Sequence, residues 1–543
     1  MKVKRFMLSI GVLLFLVIFS TACNDKENNT NNNTNNNSND NAQDNLNESS
    51  MPIVNDQIEF NFFAGKSPQS PDDWDDIMIW NEYGDMTNID IEWNLVQDDS
   101  LDEKRNLALG SGSLPDVFYA AQIPNTDLLK YGEQGTIIKL NDLIDKYAPN
   151  LKSIMEEDPN IEKSITFPDG NIYSLPSIHA PEFLSLRTLP TMWYNEEWLN
   201  ELDMEIPQTT EEYYQFLKSV KEQDLLGNGE DDEIPFGSGD INFLVGWLKG
   251  AFGVGNRGHS YIDMDPQENE VRFFPISDEY KDMLQYINKL YDEELIEQNI
   301  FSIETEQFIA NGTDNRYGSM VYWSPEAALG DIGANYVSAV PLVGPNDDQL
   351  YVTVTNPVYS MGNFAITDEN ENPEAAVRWA DYFYSDEGTR LFHMGIEGET
   401  YEETSDGEYK YLDKITNSED GLTQTQELAK YLVWTGIGAP GVVKPEYFEG
   451  SENNDQSLEA ADKLEPYLIE EVWTNFTYTE SENKKLDALS ADIENYVGEM
   501  QDKFIVGDIP FSEWDDYIKT IEKMGLEEYM EIQTDAYERY EDH

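Results

Sequence analysis

The sequence predicts a two-lobed α/β protein in which each lobe is assembled from separate stretches of the chain. The chain has 543 residues, 39% of them hydrophobic, whereas a single core stops growing at roughly 250 to 300 residues. Strand-like alternation and helical spacing take turns between residues 58 and 119, as in a sheet covered by helices. Two long extended stretches, 169–199 and 351–366, predict two crossings between the lobes.

The first lobe begins with alternating strands and helices. We predict strands at 58–63, 89–93 and 114–119, and helices at 74–83 and 104–109. Strands that are separated by helices usually run in the same direction, so these segments predict a parallel sheet.

The first crossing begins at a turn formed by Asp169 and Gly170. A short strand over 172–175 follows, then an extended polar passage, and then a helix that begins near Asn195. We interpret this stretch as the segment in which the chain crosses from one lobe to the other, and we expect the ligand cleft to open here.

The rest of the chain also contains segments with strand-like alternation and segments with helical spacing. They are helices at 209–220 and 278–295, an apolar run at 243–252, a strand at 317–323, a helix after Asn372 with proline in its first turn, and a long helix whose apolar stripe runs from Leu486 to Phe504. The extended stretch at 351–366 returns the chain to the first lobe.

An export signal is predicted over residues 1–22. Basic residues precede an apolar run at 6–19 that is too short to span a bilayer comfortably, and small residues then lead to Cys23. We predict a lipoprotein signal in which Cys23 is acylated and holds the protein on the outer face of the cell membrane, although Ser20 stands where the lipobox usually has leucine. Residues 23–51 are rich in Asn, Asp and Ser and predict a disordered tether.

Composition argues against several function classes. With 107 acidic and 34 basic residues, the net charge is −73, so nucleic acid would be repelled and is not an expected partner. Cys23 is the single cysteine, which excludes an intramolecular disulfide. The four histidines have neither metal-ligand nor nucleophile spacing, so we expect a binding protein rather than an enzyme. A surface glycoside hydrolase stays open as an alternative, because it needs only two carboxylates.

Three further motifs and the first crossing carry a resemblance to a known family. The motifs are Asn-Leu-Ala-Leu-Gly-Ser-Gly-Ser-Leu-Pro-Asp at 106–116, Tyr-Gly-Glu-Gln-Gly-Thr-Ile-Ile at 131–138 and Leu-Asn-Asp-Leu-Ile at 140–144. They resemble the bacterial extracellular solute-binding proteins of family 1, the carbohydrate-binding group that includes maltose-binding and alginate-binding proteins. The resemblance extends over residues 52–540.

The resemblance implies a periplasmic-binding-protein-like fold and a role in an ABC importer. The protein is then a monomer that captures an oligosaccharide between two lobes and delivers it to membrane permease subunits, with closure by hinge motion at the crossings. We place lobe 1 at 52–188 and 358–440, and lobe 2 at 189–357 and 441–543. A sensor or adhesion lipoprotein that does not transport is a further alternative.

Three tryptophans are candidate sugar contacts, because aromatic planes suit the C–H faces of pyranose rings. Trp323 directly follows a strand, and Pro325 stops the strand behind it. Its position resembles that of the stacking tryptophan of maltose-binding protein. Trp247 lies where the family places further aromatic contacts, and Trp434 lies near the lobe boundary.

Five residues of the first lobe and the first crossing are further ligand candidates. Lys66 follows the first predicted strand, and Tyr119 and Gln122 end the third. Open α/β sheets bind ligands at the carboxyl ends of their strands. Glu182 and Arg187 lie in the crossing itself, where a solvated ion pair is an equal alternative to ligand contact.

The acidic loop at 224–233 is the candidate metal site. Calcium takes six to eight oxygen ligands, and the loop resembles the family's Asp-x-Asn-x-Asn-Gly-x-x-Asp-Glu pattern. The matching positions are Asp224, Asn228, the carbonyl of Glu230, Asp232 and Glu233. Leu226 occupies the second ligand position and cannot coordinate through its side chain, so an acidic turn that closes a helix is the alternative.

Overall fold

The computed structural model describes residues 45–433, 438–474 and 476–542. In chain order the strands are β1 Ile58–Lys66, β2 Ile89–Gln97, β3 Val117–Tyr119, β4 Leu175–His179, β5 Thr191–Asn195, β6 Ile234–Gly237, β7 Ile262–Met264, β8 Val271–Phe273, β9 Tyr317–Tyr322, β10 Tyr336–Ser338, β11 Val358–Ile366, β12 Tyr401–Glu403, β13 Tyr409–Tyr411 and β14 Gly441–Val443.

The helices cover both sheets. They are α1 Met78–Thr87, α2 Leu101–Ser111, α3 Asn125–Glu133, α4 Asn141–Tyr147, α5 Pro149–Glu157, α6 Pro159–Ile165, α7 Leu184–Thr188, α8 Glu196–Glu201, α9 Thr210–Lys221, α10 Ile241–Lys249, α11 Asp278–Asp292, α12 Thr305–Thr313, α13 Pro325–Leu329, α14 Pro373–Asp381, α15 Asp386–His393, α16 Asp413–Thr416, α17 Gln424–Leu428, α18 Asp455–Leu464, α19 Glu480–Ile505, α20 Trp514–Met524 and α21 Leu526–Asp542. Within the described ranges, no helix is both long and apolar enough to cross a bilayer.

The first sheet has the strand order β14-β4-β11-β3-β1-β2. β1 pairs in parallel with β2 and β3, which confirms the predicted parallel arrangement of the first three strands. β11 comes back from the second crossing and inserts antiparallel between β3 and β4. The second half of β1 is buried continuously, because a central strand is covered on both faces.

The second sheet has the strand order β10-β5-β9-β6. β5 is the first strand after the first crossing, and it pairs antiparallel with both β9 and β10. The predicted helix start near Asn195 is confirmed, because this side chain accepts from the Trp198 N–H at 3.3 Å and caps α8.

Each sheet has its own hydrophobic core, which confirms the two-lobed α/β fold. The first core draws its buried residues from 53–183 and 358–442, and includes a cluster of aromatic rings around Trp379. The second draws on 192–351 and 464–540, and includes the predicted stripe of α19. Each core therefore uses separate stretches of the chain.

The prediction for the first crossing needs correction in its elements. The predicted strand at 172–175 is displaced to Leu175–His179, and the short helix α7 interrupts the extended passage that follows. The predicted division between residues 440 and 441 already contained a third passage between the lobes. β14 pairs with β4 in the first sheet, one residue after the predicted boundary at 440, and α18 then packs against β10 of the second sheet.

Candidate functional site

A first cavity, here called the aromatic cavity, lies against the crossings and has a volume of about 440 Å³. Residues from β4, α7, β11, α15 and β14 form its wall on one side, and the residue after β9 of the second sheet faces them. Its lining consists of Ser177, His179, Leu186, Leu189, Trp323, Thr355, Tyr359, Phe383, Thr389, Phe392, His393, 438–443, Phe448 and Glu452. Both lobes therefore contribute to it.

A second cavity, here called the polar cavity, adjoins the first and has a volume of about 600 Å³. Amides and hydroxyls project from the end of the first sheet and from the crossing at 354–356. Its lining consists of Gln122, Ile123, Asn125, Gly258, Val354, Thr355, Asn356, 358–362, Val472, Trp473 and Thr474. Thr355 and Tyr359 line both cavities, so the two cavities adjoin, and together they are called the cleft here.

Two exposed aromatic side chains stand in this cleft. Trp323 is 40% exposed, and its ring meets Phe243 and Tyr322 edge to face at 5.2 and 5.5 Å between centroids. Tyr359 is 58% exposed and stacks on His179 at 4.7 Å. Both rings line the aromatic cavity, and exposed aromatic side chains in a concave site are typical of ligand binding.

Two histidines in the aromatic cavity are held uncharged. Burial lowers the pKa of His179 to about 4, and the Arg187 guanidinium acts in the same direction. Burial likewise lowers the pKa of His393 to about 4. The Nδ1 atom of His179 is buried and has no hydrogen-bond partner within the described part of the chain. It therefore retains hydrogen-bonding capacity beside the exposed Tyr359 ring.

Side-chain hydrogen bonds join the first two crossings to each other and to the segment that follows α18. Arg187 donates from Nε to the Thr355 carbonyl at 3.0 Å and from Nη1 to the Pro181 carbonyl at 2.9 Å. Asn356 donates from Nδ2 to the Val472 carbonyl at 2.9 Å. Because these contacts connect crossings rather than cores, they fix the hinge region and leave each sheet independent.

The ligand candidates predicted in the first lobe and the first crossing lie in different environments. Gln122 lines the polar cavity, in a left-handed backbone conformation with φ of 48°. Glu182 is exposed, and Arg187 is buried with its guanidinium directed at backbone carbonyls rather than at Glu182. The hydrogen bonds from the Arg187 guanidinium to backbone carbonyls of the hinge account for its burial.

Lys66 does not line either cavity. Its side chain is buried, and Nζ lies 2.8 Å from a carboxylate oxygen of Asp72 and donates to the Ser70 carbonyl at 3.2 Å. The ammonium group therefore closes the loop that follows β1 instead of facing a ligand.

Two predicted aromatic contacts lie in the cores. Tyr119 is 1% exposed, with its ring 5.6 Å from that of Trp93. Trp247 is 3% exposed, with its ring 5.8 Å from that of Tyr351 in the second core. Both side chains are members of the hydrophobic cores. Trp434 and Cys23 lie outside the described residues.

The acidic loop is held together by its own oxygens. Asp224 accepts from the N–H groups of Asn228 and Gly229 at 3.1 and 3.0 Å, and the Asn228 amide lies 3.1 Å from an Asp232 carboxylate oxygen. Glu233 accepts from the Leu226 N–H at 3.0 Å. No cluster of three or more acidic, His or Cys side chains with metal-binding spacing occurs in the described ranges. The donor set nevertheless consists of hard oxygens around a glycine turn, which fits calcium chemically.

Tyr359 and His179 were not among the sequence candidates. Both lie inside the predicted crossings, and an aromatic residue in a segment that spans two lobes is the signal that could have identified them. Phe392 and Phe448 give no such signal, because nothing in their local sequence distinguishes them from core residues.

Comparisons with known proteins agree with this architecture. The fructooligosaccharide ABC transporter substrate-binding protein FusA of Streptococcus pneumoniae is 31% identical, over 88% of this chain and 90% of its own. Two solved structures of FusA, one in complex with kestose and one an EF-hand mutant in complex with fructo-nystose, are 29% and 28% identical. Each has a TM-score of 0.69 and covers 89% of this chain and 100% of its own.

Two proteins of Bacillus subtilis strain 168 are more distant relatives. The polygalacturonan/rhamnogalacturonan-binding protein YtcQ is 24% identical, over 83% of this chain and 86% of its own. Lipoprotein LipO is 23% identical, over 86% of this chain and 89% of its own. The family model described as bacterial extracellular solute-binding protein matches residues 67–390. With its two discontinuous lobes and the cleft between them, the chain belongs to the bacterial extracellular solute-binding proteins.

Proposed function

We propose that this protein is the substrate-binding protein of an ABC importer and captures an oligosaccharide between its lobes. The observation that carries the proposal is the cleft at the crossings, in which exposed Trp323 and Tyr359 stand beside a cavity of amides and hydroxyls. The similarity to FusA, named for fructooligosaccharide and solved with kestose, supports it.

The cleft suits both surfaces of a sugar. Aromatic planes cover the apolar C–H faces of the ring, and fixed polar groups orient its hydroxyls. In the aromatic cavity the rings of Trp323 and Tyr359 supply the planes. In the polar cavity Gln122, Asn125 and Ser360 supply donors and acceptors. A chain of sugar units can lie across Tyr359, since that residue borders both cavities.

Ligand capture then works by hinge closure. A ligand that contacts both lobes binds the closed state more tightly than the open state and shifts the population toward it. We propose the predicted lobe boundaries for this motion, with one change: the strand Gly441–Val443 moves with lobe 1, because it is hydrogen-bonded into the first sheet. The closed form is the species that membrane permease subunits would recognise.

Ligand-dependent thermal stability tests the function. Kestose and other short oligosaccharides are expected to raise the unfolding temperature, because a ligand at about 100 times its Kd stabilises the native state by about 2.7 kcal/mol. Recovery of the unchanged sugar after incubation is also expected. Released monosaccharide would favour the glycoside hydrolase alternative, and a complete lack of stabilisation would favour the sensor or adhesion alternative.

We further propose that acylated Cys23 anchors the protein on the extracellular face of the membrane, which agrees with the family and with the similarity to lipoprotein LipO. Labelled palmitate is expected in the wild-type protein and not in Cys23→Ser, which should appear in the culture medium or remain unprocessed. Label in the Cys23→Ser protein would contradict the anchor.

We propose that the loop at 224–233 binds calcium as a structural ion. Asp224, Asn228, Asp232, Glu233 and the carbonyl of Glu230 would hold it, and the EF-hand described for FusA supports this assignment. The ion would neutralise carboxylates that otherwise repel one another, and so stabilise the segment that leads into β6.

Removal of calcium is therefore expected to lower the unfolding temperature of the wild-type protein by several degrees, since a ligand that binds only the native state stabilises it. Asp232→Ala should abolish that sensitivity. Asp231→Ala is the matched control, because its side chain has no ligand position in the pattern, and it should respond like wild type. A wild-type protein with the same unfolding temperature in chelator and in calcium would show that Leu226 has removed the site.

A further inference from the structure

The cleft is lined almost entirely by uncharged side chains. Across the described lining of both cavities there is no lysine or arginine, and Glu452 is the one carboxylate. His179 and His393 line the aromatic cavity as neutral imidazoles, because burial lowers the pKa of each to about 4. The lining thus offers hydrogen bonds and aromatic faces, but no positive charge.

Cationic residues next to the lining in sequence are committed elsewhere. Arg187 donates to the two backbone carbonyls of the hinge described above. Arg257 precedes Gly258 of the polar cavity, and its Nε lies 3.4 Å from a carboxylate oxygen of Glu471. Both guanidinium groups therefore have partners within the protein, although that of Arg257 also lies 5.8 Å from the ring of Trp473, which lines the polar cavity.

Two further cationic residues next to the lining of the aromatic cavity also have partners. Arg390, next to Thr389 of the aromatic cavity, lies over the rings of Tyr409 and Tyr447 at 5.3 and 5.7 Å. Lys444 follows β14 and pairs with the carboxylate of Asp386. The residues that interrupt the described ranges add no cation, because 434–437 read Trp-Thr-Gly-Ile and residue 475 is Asn.

A bound carboxylate would therefore lose water without gaining a counter-charge. Burying an ionised group without a partner is strongly unfavourable, and like-charge contacts at an interface cost several kcal/mol. The field of a protein with a net charge of −73 acts in the same direction at low ionic strength. A neutral sugar has neither cost, because its hydroxyls exchange water for amides and hydroxyls.

We propose that the cleft selects uncharged oligosaccharides and rejects those that carry uronic acids. The inference rests on the proposed function and narrows its substrate class. It separates this chain from its relative YtcQ, whose name specifies polygalacturonan, an acidic polymer.

Calorimetric titration with matched sugars tests this selection. The first probes are kestose and other neutral trisaccharides beside trigalacturonate. The neutral trisaccharide that binds is then oxidised at its primary hydroxyls to carboxylates. This acid is compared with its own methyl ester. The acid is expected to bind at least about tenfold more weakly than the ester, with the gap narrowing as salt is added, because charge is the main difference between them.

A variant that adds a cation to the lining sharpens the test. Asn125→Lys places an ammonium group at the polar cavity, and Asn125→Gln is its uncharged control. The ratio of acid to ester affinity is expected to rise about tenfold in Asn125→Lys relative to Asn125→Gln.

Acid binding equal to or tighter than ester binding in the wild-type protein would overturn the inference and leave the proposed function standing, as would trigalacturonate binding without any neutral ligand. A panel in which no neutral or acidic oligosaccharide binds would overturn the proposed function, and the inference with it.

Discussion

Replacement of Trp247 by alanine is expected to destabilise the second lobe by about 3 to 5 kcal/mol, the usual cost of removing a large aromatic side chain from a packed core. Trp247 is 3% exposed and packs on Tyr351, so the substitution leaves a cavity that neighbouring side chains can fill only in part. Urea unfolding followed by far-UV circular dichroism measures the loss as a lower midpoint.

Trp247→Phe is the control for this substitution. Phenylalanine fills most of the space left by the indole, so its loss of stability should be well under that of the alanine variant. The remaining folded Trp247→Ala protein should still bind oligosaccharide with close to wild-type affinity. An unchanged urea midpoint together with a large loss of affinity would place Trp247 in the cleft instead of the core.

Replacement of Trp323 by alanine is expected to give the opposite result. Affinity for a bound oligosaccharide should fall about tenfold or more, equivalent to at least about 1.4 kcal/mol. The ring is 40% exposed in the aromatic cavity, and removing it deletes a sugar-facing surface without opening a core. The urea midpoint should change little, since substitutions outside packed cores usually fall within about 0.5 kcal/mol.

Calorimetry and urea unfolding on the same Trp323→Ala preparation separate binding from folding. Trp323→Phe keeps an aromatic plane of smaller area and should lose less affinity than the alanine variant. Wild-type affinity in Trp323→Ala, or a collapse of its urea midpoint, would remove this residue from the proposed sugar platform.

The chain by itself determined the class of fold and most of its elements. Periods of two and of about 3.6 residues are local properties, so they could be read directly in segments such as β1 and α19. The crossings could be recognised in part, because 169–199 and 351–366 are long stretches that read as mainly extended. The acidic loop could be recognised from the sequence because its oxygen-bearing residues lie close together along the chain.

The assignment of individual residues to the cleft required tertiary structure. Trp247 and Trp323 are the same residue type beside similar apolar runs, yet one is covered by Tyr351 from a distant segment and the other faces a cavity. Arg187 reads as a solvated charge, but its carbonyl partners include Thr355, which lies 168 residues further along the chain. Local sequence cannot encode what covers a side chain, because burial and hydrogen bonding are decided by residues that only folding brings into contact.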